Sequence, residues 1–115
     1  MGGGQLPTGW GVFARDILFE PMSDGRSAFR GREAVEAQMR EFLAQWSAFR
    51  IEAQEFTELG DAVLVVERQH GKGKSSGIEI DTTFYAVWIF RGGLVVRVLW
   101  ETDRAKALAA AGLRE

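Results

Sequence analysis

The polar side chains best suited to chemistry in this chain are few and lie in segments that otherwise read as β-strands. Arg68 and His70 stand two residues apart in one such segment, and Thr82 lies in the next. His70 is the only histidine, and imidazole is the side chain whose ordinary pKa lies near neutrality. If all three face one interior, Arg68 could hold an anionic or carbonyl oxygen while His70 moves a proton.

The composition excludes several other kinds of site. The chain has no cysteine, which rules out disulfides, thiolate zinc sites and cysteine nucleophiles. One histidine supplies too few ligands for a histidine–glutamate metal site, so we expect neither a metal nor a cofactor. The 14 basic and 16 acidic residues are interspersed and give a net charge of −2. No large basic field is available to neutralise phosphates, so nucleic acid is not an expected partner.

Length and hydropathy indicate one globular domain. The chain has 115 residues, of which 46% are hydrophobic and 26% charged, as in ordinary soluble proteins. Its N-terminus lacks the features of a signal peptide, and no apolar run is long enough to span a membrane. We therefore expect a cytoplasmic protein without a membrane partner. Residues 1–13, with three consecutive glycines, are predicted to be a flexible lead-in, and residues 14–115 the domain.

The elements that must position the polar residues follow from hydrophobic periodicity. Apolar residues at helical spacing predict one amphipathic helix over residues 32–46; the stripe comprises Val35, Met39, Phe42, Leu43 and Trp46. Alternation with a period of two, bounded by turn residues, then predicts strands over residues 51–59, 62–70, 78–90 and 94–102, after an earlier short strand over 16–21 and a turn over 23–26. Asp103 and Gly112 suit the two caps of a last helix over residues 104–111, with Leu113 folding back onto Leu108.

The glycine-rich segment over residues 71–77 allows two interpretations. Its glycines, lysines and serines suggest a loop that binds phosphate. The segment lacks the ordered spacing of that motif, however, and no helix follows it. A hairpin with a bulge between two strands is therefore favoured.

Three segments resemble the SnoaL-like, ketosteroid-isomerase-related proteins of the nuclear transport factor two superfamily. They are residues 29–35 (FRGREAV), 84–97 (FYAVWIFRGGLVVR) and 103–113 (DRAKALAAAGL), and the resemblance extends over roughly residues 16–113. It implies an α+β fold, a cystatin-like roll in which a cone-shaped, curved antiparallel sheet packs on the helix and encloses a cavity. Two helices precede the first strand in such proteins; the residues before it here do not read as helices, so we expect those helices to be shortened or missing.

The resemblance also implies which strand faces line the cavity. On the long strand the implied set is Phe84, Ala86, Trp88 and Phe90; on the last strand it is Val96, Val98, Trp100 and Thr102. On the strand before them it is Leu64, Val66, Arg68 and His70. The expected ligand-binding residues are therefore Arg68, Thr82, Phe84, Ala86, Trp88, Val98 and Trp100. Trp88 and Trp100 are the pair expected to contact a ligand, because flat rings line apolar pockets.

Glu20 is the candidate catalytic carboxylate that the resemblance implies. It precedes Pro21 at the position where ketosteroid isomerases carry the base that removes a proton next to a carbonyl. In one interpretation Glu20 and His70 form an acid/base pair across the cavity. In another, Arg68 forms an ion pair with Glu20 while His70 lies at the rim, and in a third Glu20 is simply solvated.

The same comparison argues against a steroid-type reaction. The carboxylic-acid donor of those isomerases aligns with Ala86, which has no proton to donate, and their tyrosine donor belongs to the N-terminal region. Losing one such donor typically costs about a hundredfold or more in rate.

Two functions from different classes remain open. One is a cofactor-independent isomerase, cyclase or lyase that acts on a small hydrophobic carbonyl compound. The other is a non-catalytic ligand-binding or dimerisation domain whose cavity is filled by its own side chains; a scaffold without a present function is a third possibility.

Apolar residues on both faces of the long strand lead us to expect a homodimer across its outer face. The alternative is a single chain with one face on the helix and the other partly exposed.

Overall fold

The computed structural model describes residues 12–21 and 28–113 and confirms the α+β class. Its elements are β1 (Phe13–Pro21), β2 (Phe29–Arg30), α1 (Arg32–Leu43), β3 (Trp46–Leu59), β4 (Ala62–Gly73), β5 (Glu79–Arg91), β6 (Leu94–Glu101) and α2 (Arg104–Ala110). The turn predicted over residues 23–26 lies outside the described residues. Neither described helix is long and apolar enough to cross a membrane. Phe13, assigned above to the lead-in, begins β1; the rest of the division into residues 1–13 and 14–115 stays a prediction.

All six described strands form one sheet in the order β2-β1-β6-β5-β4-β3. The three hairpin connections from β3 to β6 make antiparallel pairs, as the short turns predict. β1 pairs antiparallel with β2 but parallel with β6, so the chain's first and last strands lie side by side. This parallel pair was not predicted, because alternation along one strand does not identify its neighbours.

The helix α1 ends earlier than its apolar stripe predicts. It stops at Leu43, and Trp46 begins β3 instead of closing the helix. The Trp46 ring still joins the ring of Phe42, with centroids 5.8 Å apart, and it also meets Phe49 at 5.7 Å. Trp46 therefore continues the apolar stripe in space while its backbone has already turned into the sheet.

In the described part of the chain, each face of the sheet packs against one helix. We call the face that packs against α1 the inner face; its core comprises Ile17, Val35, Val95 and Val98. The opposite, outer face packs against α2, and its core comprises Ala62, Leu64, Val87, Leu99, Ala107 and Leu108. Since α2 covers Tyr85, Val87 and Ile89, the apolar outer side of β5 is explained within one chain. The observation that suggested a homodimer thus no longer requires one.

The predicted face of β4 is wrong by one residue. Leu64 pairs with Val87 and belongs to the outer-face core, so Val66, Arg68 and His70 also face outward. The inner side of β4 instead carries Val63, Val65, Glu67 and Gln69, which pair with Trp88, Ala86, Phe84 and Thr82. The stretch from Ala62 to Val66 is apolar on both faces, and so its sequence does not reveal which side is inside.

A β-bulge changes the predicted face at the start of β6. The register between β5 and β6 shifts between Ile89 and Phe90, so Val95 replaces Val96 in the inner-face core. Beyond the bulge Val98 and Trp100 face inward as predicted. Thr102 lies past the end of β6 and is exposed.

The glycine-rich segment is a hairpin connection, as favoured above. β4 continues to Gly73, and the amide nitrogen of Gly73 donates to the carbonyl oxygen of Ile78 at 2.9 Å. At Gly71 a Cβ atom would come within 2.9 Å of the Trp46 ring and 3.0 Å of Phe49. A side chain at this position would force at least one of the two rings to shift, which favours glycine.

The C-terminal cap of α2 has the predicted form. Gly112 has φ +72°, the amide nitrogen of Gly112 donates to the Ala109 carbonyl oxygen, and that of Leu113 donates to Leu108. These are the two hydrogen bonds of a Schellman motif, and Leu113 packs against the outer-face core. Asp103 occupies the N-cap position, although its side chain makes no capping hydrogen bond.

Candidate functional site

An apolar cavity lies between α1 and the inner face of the sheet and consists of two lobes. The outer lobe has a volume of about 150 Å³; its aromatic walls are Phe19, Phe29, Phe42, Trp46, Phe84 and Trp100. The deep lobe has a volume of about 40 Å³; its walls include Phe13, Ile17, Val35, Glu67, Trp88 and Val98. Phe19, Met39 and Trp100 border both lobes, so the two lobes are adjacent.

Glu67 is the one acidic side chain among the described residues that line the deep lobe. Only 3% of the residue is exposed, and its carboxylate accepts a hydrogen bond of 3.3 Å from Gln69 Nε2. Among the residues described in the structure, no basic side chain forms an ion pair with it. Burial raises the pKa of Glu67 from 4.5 to about 7, and the hydrogen bond from Gln69 opposes only part of that rise.

Gln69 lies two residues further along β4 and borders the outer lobe. It is 1% exposed and, through its Nε2, connects the polar wall of the outer lobe to the carboxylate of the deep lobe. Both side chains face inward because residues two apart on a strand point to the same face. The two lobes therefore share a polar pair, Glu67 and Gln69; Gln38 is the one further polar side chain among the described lining residues.

Two tryptophans contribute buried donors to the surroundings of the cavity. The Nε1 atoms of Trp46 and Trp88 are enclosed and have no hydrogen-bond partner among the described residues. Because both nitrogens are shielded from the cavity space, they present no donor to a molecule within it. The rings themselves form walls of the outer and the deep lobe, respectively.

Four of the predicted ligand-binding residues border the cavity. Phe84 and Trp100 line the outer lobe, and Trp88, Val98 and again Trp100 line the deep lobe. Trp88 and Trp100 thus lie on the same side of the sheet. Ala86 also faces inward but is fully buried opposite Val65. Thr82 shares the inner face with Gln69 but is exposed and lies outside both lobes.

Glu20 does not point into the cavity. Its neighbours Phe19 and Pro21 border the outer lobe, whereas Glu20 pairs along the sheet with Leu99 of the outer-face core. Its carboxylate accepts a hydrogen bond of 2.6 Å from Arg97 Nε. The alternation of the strand explains the outcome, since the residue between two inward side chains must point outward.

Arg68 and His70 belong to a charged cluster on the outer face. Arg68 donates two hydrogen bonds to Asp81, of 2.7 and 2.9 Å, and His70 Nε2 lies 3.2 Å from Glu52. The guanidinium of Arg68 holds the pKa of Asp81 below its usual value. Three strand-to-strand steps separate β4 from β1, about 14 Å. Neither the Glu20–His70 pair nor the Glu20–Arg68 ion pair is formed, so the predicted polar site does not assemble.

Glu67 and Gln69 were not predicted from the sequence. Both belong to the polar end of β4, where four polar residues follow one another and alternation alone supports either face. The pairing of β4 with β5 could have identified them: once Trp88 and Phe84 face inward, their antiparallel partners Val63 and Glu67 must do the same. Within the described ranges 12–21 and 28–113, no group of three histidine, aspartate or glutamate side chains could hold a metal ion.

Solved structures with the same fold come from several bacteria. A ketosteroid isomerase-like protein of Catenulispora acidiphila, solved in complex with trimethylamine, matches with a TM-score of 0.74 and 18% identity, over 91% of this chain and 80% of its own. A candidate SnoaL-like polyketide cyclase of Jannaschia sp. matches with a TM-score of 0.74 and 18% identity, over 92% of this chain and 78% of its own. An NTF2-like protein of unknown function from Burkholderia pseudomallei matches with a TM-score of 0.72 and 22% identity, over 86% of this chain and 79% of its own.

These likenesses establish the NTF2-like fold, here with two described helices. No curated protein sequence matches the chain. The sequence model of the SnoaL-like domain, in contrast, matches residues 4–98, which include α1, most of the sheet and both polar residues of the cavity. The chain therefore belongs to the family of SnoaL-like domains.

Proposed function

We propose that this protein binds a small carbonyl compound in the two-lobed cavity and that Glu67 moves a proton on it. The observation that carries the proposal is one carboxylate, 3% exposed, in the wall of an apolar cavity without a basic partner among the described residues. A general base works best when its pKa lies near the working pH. The raised pKa of Glu67, about 7, meets that condition.

The proposed reaction needs only this chain's own groups. Ionised Glu67 takes a proton from the carbon next to the carbonyl, and the electron pair of the broken C–H bond forms an enolate. Protonated Glu67 then returns the proton to another carbon of the conjugated system, which restores the carbonyl with the double bond moved. No electrons are gained or lost overall, so the isomerisation requires no oxidant or reductant.

The size of the cavity supports a ligand of about one ring. A cavity of 150 Å³ is the size known to accommodate benzene in a protein core, and the outer lobe has that volume. The deep lobe of about 40 Å³ adds space for a few further atoms, beside Glu67. The trimethylamine in the Catenulispora relative is likewise a small molecule. A four-ring steroid exceeds this space.

Proton exchange tests the proposal directly. Cyclohex-3-enone and related one-ring ketones would be incubated with the protein in D₂O, and loss of the α-proton signal followed by NMR. We expect the native protein to accelerate exchange and Glu67→Gln to lose about a hundredfold or more of that rate. Glu52→Gln, which changes an exposed glutamate on the outer face, is the matched control. Exchange by Glu67→Gln at the native rate would refute the proposal.

The alternative is a binding domain without catalysis. It is favoured by the small deep lobe and by the hydrogen bond that Gln69 donates to Glu67, both of which suit a cavity filled mainly by its own side chains. Binding of the same ketones without any exchange would select this alternative.

A homodimer and a cytoplasmic location stay predictions from the sequence. The exposed side chains of Phe56 and Ile78, 63% and 64% accessible, are apolar surface that a second copy could cover. Light scattering at high protein concentration tests the dimer, and cell fractionation tests the location.

A further inference from the structure

Gln69 is a buried amide whose two ends face different environments. Its Nε2 donates to the Glu67 carboxylate at 3.3 Å. Within the described part of the chain, no group donates a hydrogen bond to its Oε1. Among the described residues, the fully enclosed side-chain polar atoms without a partner are the two tryptophan nitrogens, so Gln69 Oε1 retains some contact with accessible space. The cavity space that Gln69 lines is the outer lobe.

The orientation of this amide follows from its partner. An ionised carboxylate only accepts hydrogen bonds, so the NH₂ end of Gln69 must point to Glu67 whenever Glu67 acts as a base. The carbonyl end is then directed away from Glu67. This oxygen has no donor among the described residues, and a ligand that brings a donor into the outer lobe would supply one.

We propose that Gln69 selects ligands that carry a hydroxyl or N–H group, by accepting a hydrogen bond from that group in the outer lobe. This inference rests on the proposed function for the role of Glu67 and narrows its substrate class to one-ring carbonyl compounds that bear a hydroxyl or amino group. The donor of the ligand meets Gln69 in the outer lobe, while its reacting carbon approaches Glu67 in the deep lobe. Gln69 is in this sense a positioning residue, because it orients both the base and the ligand.

A series of three ring compounds isolates the hydrogen bond. Phenol carries a donor, anisole carries an oxygen that only accepts, and toluene carries neither. Calorimetric titration of each gives a phenol-to-anisole affinity ratio, and comparing that ratio between variants cancels the different hydration of the ligands. We expect the ratio to fall about tenfold in Gln69→Met, the loss of one buried hydrogen bond. The variant Gln38→Met is the matched control, since Gln38 borders the same lobe from α1.

A second measurement needs no variant. In native protein labelled with ¹³C-glutamine, the side-chain carbonyl resonance of Gln69 should shift on addition of phenol and stay in place with toluene. This keeps the inference testable if Gln69→Met does not fold. An unchanged resonance with phenol, or a ratio that falls in Gln38→Met and not in Gln69→Met, would overturn it.

The two proposals fail in different ways. Native protein that prefers phenol through Gln69 but exchanges no α-protons on any ketone would remove the catalytic role of Glu67 and retain the donor selection. Ketone exchange that depends on Glu67, together with a phenol-to-anisole ratio that Gln69→Met leaves unchanged, would do the reverse.

Discussion

Glu67 and Arg68 are neighbours in the chain and occupy opposite environments. Glu67 faces the cavity, is 3% exposed and has a pKa raised to about 7 by burial. Arg68 faces outward, its side chain is about half exposed, and it forms an ion pair with Asp81. Desolvation controls the first residue, whereas solvent screens the interaction of the second. On the inner face, burial therefore raises the pKa of a carboxylate toward neutrality, whereas the exposed pair of Arg68 and Asp81 on the outer face stays charged.

The comparison also shows how sensitive a site on a strand is to register. The strand β4 was predicted correctly, but its inward face was not. Arg68 and His70 were therefore expected in the cavity, where Glu67 and Gln69 lie. A shift of one residue exchanges every inward side chain for its neighbour. The error changed the predicted chemistry completely while leaving the predicted fold intact.

The largest expected effect is the response of stability to pH when Glu67 is neutralised. In the native protein the folded-state pKa of Glu67 is about 7, above the ordinary 4.5, so the folded state binds the proton more tightly than the unfolded state. Stability should therefore be full below pH 4.5, fall as the pH rises to about 7, and then level off. The gap between the two values corresponds to about 3 kcal/mol.

Glu67→Gln should abolish the fall in stability between pH 4.5 and about 7. Urea unfolding should find the variant about 3 kcal/mol more stable than the native protein at pH 8 and nearly equal to it at pH 4. The control is Glu58→Gln, whose glutamate is exposed and forms no ion pair within the described residues, so its stability curve should run parallel to that of the native protein. If the free energies of unfolding of Glu67→Gln and the native protein differed by the same amount at every pH, the raised pKa of Glu67 would be contradicted.

A smaller effect is expected at the aromatic wall of the inner face. Gly71→Ala places a methyl group about where the Trp46 ring now lies, since its Cβ would come within 2.9 Å of that ring. Overpacking of this kind typically costs about 2 kcal/mol, measured as a lower urea midpoint. Lys72→Ala, at the adjacent exposed position, should leave the midpoint unchanged. An equally stable Gly71→Ala protein would mean that the rings over β4 move aside freely.

The smallest effect on stability is expected on the outer face. Arg68→Ala removes both hydrogen bonds to Asp81, but the pair is exposed and screened, so the urea midpoint should not change measurably. The pKa of Asp81, which Arg68 lowers, should rise toward its ordinary value and can be followed by NMR titration. A fall in midpoint as large as that of Gly71→Ala would erase the contrast between the two faces.

Most of the fold was predictable from local pattern. The bounds of β5, β6 and α2 agree with the predictions to within one residue, because turn glycines and a helix cap mark their ends. The helix α1 was overextended because Trp46 fits a helical stripe and a strand equally well. In the cavity, Trp88 and Trp100 were implied by the family resemblance, and both line the deep lobe.

By itself the sequence determined the class of fold, the two described helices and the antiparallel hairpins, since each depends on residues close together in the chain. The aromatic cavity was implied by the family resemblance. Only the tertiary structure decided which face of β4 is inside, that β1 pairs with β6, and that Glu20 lies next to Arg97. These features depend on how strands distant in sequence align. This alignment is set by the packing of the whole sheet between the two described helices. The sequence of a strand that is apolar on both faces does not indicate which face is inside.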